Sequence, residues 1–76
     1  MPRLIPTDWK TQAAIFEADG FKFHRKKGDH RAYVKPGILR PVIIPEYDEI
    51  GLDIIQGNMR TAGMSRERYF ELLSKV

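Results

Sequence analysis

The chain has no cysteine in its 76 residues, which excludes a disulfide framework and every cysteine-based zinc site. Its apolar runs are a few residues long, far short of the ~20 that cross a bilayer. No charged start leads into an apolar run and a small-residue cleavage site, so no secretory signal is expected. Internal repeats and low-complexity segments are missing. So are a phosphate-cradling glycine loop, a serine-triad pattern and a D-x-D-x-D-G calcium loop. With only two histidines and no carboxylate at ligand spacing, neither a metal site nor a cofactor is expected. What remains is one small domain over residues 1–76, outside the membrane and cytoplasmic. A domain this short buries only roughly 60% of its unfolded surface, so its core is thin. At 42% hydrophobic and 30% charged, its composition is globular rather than disordered.

Charge is unevenly spread behind the net +3. Residues 1–40 carry nine Lys or Arg against four Asp or Glu; residues 41–76 carry four against six. Between Lys22 and Lys35 the cations Lys22, Arg25, Lys26, Lys27, Arg31 and Lys35 face Asp29 alone. Such a segment is the electrostatic footprint of a phosphate-backbone binder. The plainer account is a solvated face that keeps a small protein in solution.

Two prolines and no periodicity make residues 1–6 an extended lead-in. Thr7 or Asp8 then opens a helix in which Trp9, Ala13 and Phe16 form one apolar stripe, and Gly20 closes it. Ile15 falls off that stripe. Phe21 and Phe23 alternate with Lys22 and His24 as a half-buried strand does. Lys26-Lys27-Gly28-Asp29 predicts a tight turn, followed by a strand from His30 to about Lys35 that Pro36-Gly37 ends. A third strand spans Arg40 to Ile44 and stops at Pro45. Helical spacing returns from Gly51, with Leu52, Ile55, Met59 and Ala62 inward and Gly63 as the stop. Ser65 caps a last short helix with Tyr69, Leu72, Leu73 and Val76 inward. Short connections favour antiparallel pairing, and the helices must cover one face of the sheet. The fold class is therefore α+β, a two-layer sandwich of helix, three antiparallel strands, helix and short helix.

A turn centred on Lys27-Gly28 sets Arg25 opposite His30, Phe23 opposite Ala32 and Phe21 opposite Val34. Phe21, Phe23, Ala32 and Val34 then line the core, while Lys22, His24, Arg31, Tyr33 and Lys35 take the other face. One bulged residue would shift this register and move His30 relative to its neighbours. A histidine among cations on a hairpin suits RNA cleavage, because RNA brings its own nucleophile, the 2′-hydroxyl. Histidine moves the proton near neutral pH, and a cation stabilises the charge gained at phosphorus. The plainer account is a strand histidine with a satisfied ring. His24 is expected in solvent. Tyr33 and Tyr47 are candidates to stack on bases or simply to pack. Glu46, Asp48, Glu49 and Asp53 form an acidic cluster, which is either solvated or paired with the basic hairpin.

From Gly20 onward the sequence resembles the HicA toxins of bacterial toxin–antitoxin systems. The residues that carry the likeness are Gly20-Phe21, Arg25 to His30, Val42-Ile43-Ile44-Pro45, and Asn58 to Ser65 leading to Phe70. The resemblance implies a double-stranded-RNA-binding-domain-like fold, ribonuclease action on messenger RNA, and restraint by a HicB-like antitoxin. It also implies that His30, the histidine of the turn motif, is catalytic. Arg25 and Lys27 are then candidates to stabilise charge, and Arg25, Lys26, Lys27, Arg31 and Lys35 to contact RNA. Two positions depart from the family pattern. Asp29 stands where serine is usual, and Glu46-Tyr47 stands where a basic residue and a histidine often follow the strand-ending proline. An acid beside His30 either fixes the ring's tautomer or repels phosphate, and Glu46 replaces positive charge with negative. Two alternatives remain at this level: a non-catalytic module that grips double-stranded RNA, and an inactive relative that only binds an antitoxin.

Overall fold

The computed structural model describes residues 3–76; Met1 and Pro2, the first part of the expected lead-in, lie outside them. The elements run α1 (Trp9–Ala18), β1 (Lys22–Lys27), β2 (His30–Val34), β3 (Val42–Pro45), α2 (Leu52–Ala62) and α3 (Arg66–Leu73). The three strands form one antiparallel sheet in the order β1-β2-β3. This is the α+β order expected, consistent with a double-stranded-RNA-binding-domain-like fold. α1 and α2 pack on the sheet, and α3 folds back against α1.

The expected helix boundaries hold for physical reasons. Gly63 takes φ 65°, the left-handed conformation that closes α2 without a Cβ clash. Ser65 Oγ accepts the Arg68 amide at 3.1 Å and satisfies one open donor of α3. Asp8 is the N-cap of α1, but its carboxylate accepts the Thr11 hydroxyl instead of a helix amide. Ile15 is fully buried, because α1 is covered by the sheet on one side and α3 on another. Of the residues expected inward in the helical segments, Leu52 and Val76 are exposed; Leu52 opens α2 and Val76 lies beyond the end of α3.

The hairpin register differs from the expected one. Lys27 pairs with His30 across a two-residue Gly28–Asp29 turn, Arg25 pairs with Ala32, and the ladder slips between Phe23 and Arg25. Gly28 has φ 60° at the first central position, where a tight hairpin of this length places glycine. The slip inverts the faces of β2. Tyr33, 1% exposed, faces the helices with Val42 and Ile44, while Val34 turns outward. Phe23 is 46% exposed at the open β1 edge, its ring edge-on to Tyr33 at 5.8 Å. Tyr33 wins the inner position because it buries far more apolar surface than Ala32.

Connections beyond the sheet fix its turn end. Glu46 donates its amide to the Asp29 carbonyl at 2.7 Å, tying the end of β3 to the hairpin turn. The Trp9 amide donates to Tyr47 O at 3.1 Å and the Ile50 amide to Thr7 O at 2.7 Å, so the segment after β3 is held against the start of α1. At the other sheet edge, Asn58 Nδ2 donates to Ile43 O at 2.9 Å and covers an open carbonyl of β3.

Candidate active site on the first hairpin

His30 is the first residue of β2, set by the Gly28–Asp29 turn at the rim of the sheet. Its cross-strand partners are Lys27 on β1 and Pro45 on β3, so all three share the sheet face turned away from the helices. Nδ1 of the ring lies 2.7 Å from Asp29 Oδ1. A carboxylate only accepts, so the ring proton of neutral His30 sits on Nδ1 and the lone pair on Nε2. Tyr47 meets the imidazole edge-on, with ring centroids 6.3 Å apart. The His30 side chain is 51% exposed, open to a ligand as large as a nucleic acid.

The other expected site residues divide between two environments. Arg25 lies two ladder steps from Lys27 on the same face as His30, because the slip at His24 turns it outward. Neither Arg25 nor Lys27 makes an ion pair among the described residues. Lys26 and Arg31 pair across the ladder on the opposite face, and Glu46 bridges them. One carboxylate oxygen lies 2.9 Å from Lys26 Nζ and the other accepts Arg31 Nη1 at 3.1 Å. The Lys26 ammonium, then Arg31, holds the Glu46 carboxyl below its ordinary pKa. Lys35 lies beyond β2, 3.5 Å from Asp19. Of the acidic cluster, then, Glu46 pairs with the basic hairpin.

Arg31 is built into the fold. Its Nε donates to the Tyr33 hydroxyl at 3.0 Å, and its guanidinium lies 4.5 Å from the Phe23 ring centre and 4.9 Å from that of Trp9. The Tyr33 hydroxyl and Glu46 push its already high pKa higher. Sequence reasoning missed this clamp, since a strand arginine reads the same whether it faces water or an aromatic pair. The missed position of Lys27 opposite His30 did have a signal, the Gly-Asp pair suited to a two-residue loop. The charges on β1 also blunt an exposed sheet edge.

Residues 9–64 match the family of HicA toxins of bacterial toxin–antitoxin systems, a span covering the hairpin, the whole sheet and α2. The chain belongs to that family. No curated protein matches it. The HicA span ends just before α3, whose Tyr69 and Leu72 nevertheless complete the core over α1. Among the described residues no three His, Asp or Glu side chains converge as metal ligands would, and no helix is long and apolar enough to cross a membrane.

Proposed function

We propose that this HicA toxin is an endoribonuclease that cleaves messenger RNA through His30 without a metal ion, and that a HicB-like antitoxin restrains it. One observation carries the reading: an exposed imidazole at the sheet rim, its Nδ1 held by Asp29 and its Nε2 left open, with Lys27 across the ladder. Nε2 takes the proton of an RNA 2′-hydroxyl, and the 2′-oxygen forms a bond to the adjacent phosphorus. The bond from phosphorus to the 5′-oxygen breaks, and that oxygen leaves as a hydroxyl with a proton from solvent. The products are a 2′,3′-cyclic phosphate and a 5′-hydroxyl end, and the imidazolium returns its proton to water. Lys27 and Arg25 stabilise the negative charge that builds on the non-bridging oxygens.

Asp29 has a positioning role, keeping the basic nitrogen on the RNA side of the ring. The paired cations Lys26, Arg31 and Lys35 are a weaker source of RNA affinity than Arg25 and Lys27, because their carboxylate partners must be displaced first. An antitoxin covering this rim blocks His30 and the two unpaired cations together.

The test compares wild type with His30→Ala for growth arrest and for breakdown of labelled RNA in the presence of a chelator. Wild type is expected to yield cyclic phosphate ends and His30→Ala intact RNA. Equal cleavage by both removes His30 from the chemistry, and cleavage that stops with chelation removes the metal-free route.

A further inference from the structure

The β2–β3 connection and the second half of α2 enclose an open cleft of about 640 Å³ at the end of the sheet opposite His30. Arg40 and Arg60 line it from its two sides, with Gly37, Gly57 and Thr61 between them. Its shape follows from the chain. Pro36-Gly37 forms a turn in which the Ile38 amide donates to Lys35 O at 3.1 Å and Gly37 takes φ 87°. Ile38 tucks against the core, and the next two residues are carried outward so that Arg40 faces α2. On α2, Arg60 lies one turn after Gly57 and therefore on the same side of the helix.

Two observations mark this cleft as more than a surface dent. Arg40 and Arg60, like Arg25 and Lys27 on the hairpin, make no ion pair and no side-chain hydrogen bond among the described residues, whereas Lys26, Arg31 and Lys35 have carboxylate partners. Two unneutralised guanidinium groups therefore border one space. Gly57 sits inside a helix, where glycine is unfavourable. Packing does not demand it, since a Cβ there would meet nothing closer than the Arg60 guanidinium at 4.0 Å. Its absence lowers the cleft floor, where the Thr61 hydroxyl donates to Gly57 O at 3.1 Å.

We propose that the Arg40–Arg60 cleft binds a phosphodiester of the RNA strand, a few nucleotides from the one that His30 attacks. Guanidinium forks fit phosphate oxygens in pairs, and a bare glycine floor admits the bulky tetrahedral group. β2 alone spans roughly 13 Å from the His30 rim to its far end, and the cleft lies beyond that end, so the two sites take different phosphates. The assignment rests on the reading of the chain as a protein that acts on RNA, and adds to it a grip remote from the chemistry.

RNA affinity across a salt series tests it, using His30→Ala to prevent cutting and the same protein carrying Arg40→Gln and Arg60→Gln. The pair of substitutions is expected to weaken binding about tenfold or more. It should also flatten the log–log salt slope by about 0.7 for each single-strand phosphate no longer held. Arg40→Lys with Arg60→Lys should restore the slope but only part of the affinity, since ammonium groups lack the fork. Equal affinity and slope with and without the arginines overturn the cleft and leave the chemistry at His30 standing. A wild type that cuts no RNA, yet binds it through Arg40 and Arg60, overturns the His30 reading and keeps the cleft. Loss of antitoxin binding with RNA affinity unchanged would show that the cleft takes protein carboxylates, and the proposal would fall.

Discussion

Arg31 and Glu46 form an ion pair of 3.1 Å on the helix side of the hairpin, and Glu46 reaches Lys26 with its other oxygen. One carboxylate thus occupies two cations as a phosphate would. Glu46→Gln should free Lys26 for RNA while Tyr33, Phe23 and Trp9 still hold Arg31, raising affinity severalfold and steepening the salt slope by about 0.7 for the further phosphate neutralised. Binding of RNA to His30→Ala with and without the substitution checks this. An unchanged slope would mean that Lys26 stays turned away from RNA even when unpaired.

Acid should loosen the same clamp. The Glu46 carboxyl is held below its ordinary value of 4.5 by the Lys26 hydrogen bond first and then by Arg31. A depressed carboxyl stabilises the fold above its unfolded pKa, and that contribution is lost as pH falls through the folded value. The expected outcome is a melting temperature that declines below about pH 4.5. Part of the decline should vanish in Glu46→Gln, whose side chain does not titrate. Glu71, depressed by Arg68 and then Lys75, adds a second acid-sensitive group that the substitution leaves in place.

The order of elements was legible because it rests on strong local signals: left-handed glycine at Gly63, the Ser65 cap, the Val42-Ile43-Ile44 run and prolines at strand ends. The face of each strand was not. Ala32, Tyr33 and Val34 are three consecutive apolar residues, so period-two alternation does not say which of them points inward. The slip at His24 decides it, and a bulge leaves no mark in so basic a strand. Placing His30 at the turn needed only the turn itself. Distinguishing Arg31 from Lys27 needed the tertiary partners Trp9 and Glu46, both far away in sequence.

Asp29→Asn should lower kcat about tenfold or more, because it no longer dictates which ring nitrogen carries the proton, while loss of its negative charge near the substrate phosphate tightens RNA binding. Asp29→Ser should likewise bind RNA more tightly by removing a negative charge near the substrate phosphate. Ring 15N shifts check the tautomer directly, with Nδ1 protonated in neutral wild-type His30. A wild-type ring protonated on Nε2 would remove Asp29 from its positioning role.

A buried polar contact joins α1 to α3. Gln12 Nε2 donates to the Tyr69 hydroxyl at 2.8 Å and lies 2.8 Å from Thr7 Oγ1, while Gln12 Oε1 is buried with no partner among the described residues. Tyr69→Phe should cost about 1 kcal/mol, the net worth of a hydrogen bond. Gln12→Met alone leaves the hydroxyl buried and unpaired, yet combined with Tyr69→Phe it should be nearly neutral, which a double-mutant cycle reads as coupling. Burial also raises the Tyr69 pKa above 10.0, against a smaller opposing effect of the Gln12 donor. Stability is then full below the unfolded value and falls as pH rises above about 10, a limb that Tyr69→Phe removes.

Arg31 and Lys27 are the pair of cations that best separates structure from function, since they sit on opposite faces of one hairpin. The Arg31 guanidinium stacks between Phe23 and Trp9 and bonds both Tyr33 and Glu46. Arg31→Ala should therefore destabilise the fold by about 1–2 kcal/mol, from cation–π contacts of about 0.5–1 kcal/mol each. In a domain of this size each kcal/mol lowers Tm by about 4–8 °C. Arg31→Lys should recover little, because an ammonium keeps the charge but neither the stack nor the fork. Lys27→Ala should leave the stability within about 0.5 kcal/mol of wild type, as surface substitutions usually do. It should instead lower RNA cleavage, by removing the cation opposite His30. Thermal melts and cleavage rates on the same two proteins decide the matter: a fully stable Arg31→Ala that loses cleavage would move Arg31 from the framework to the substrate surface.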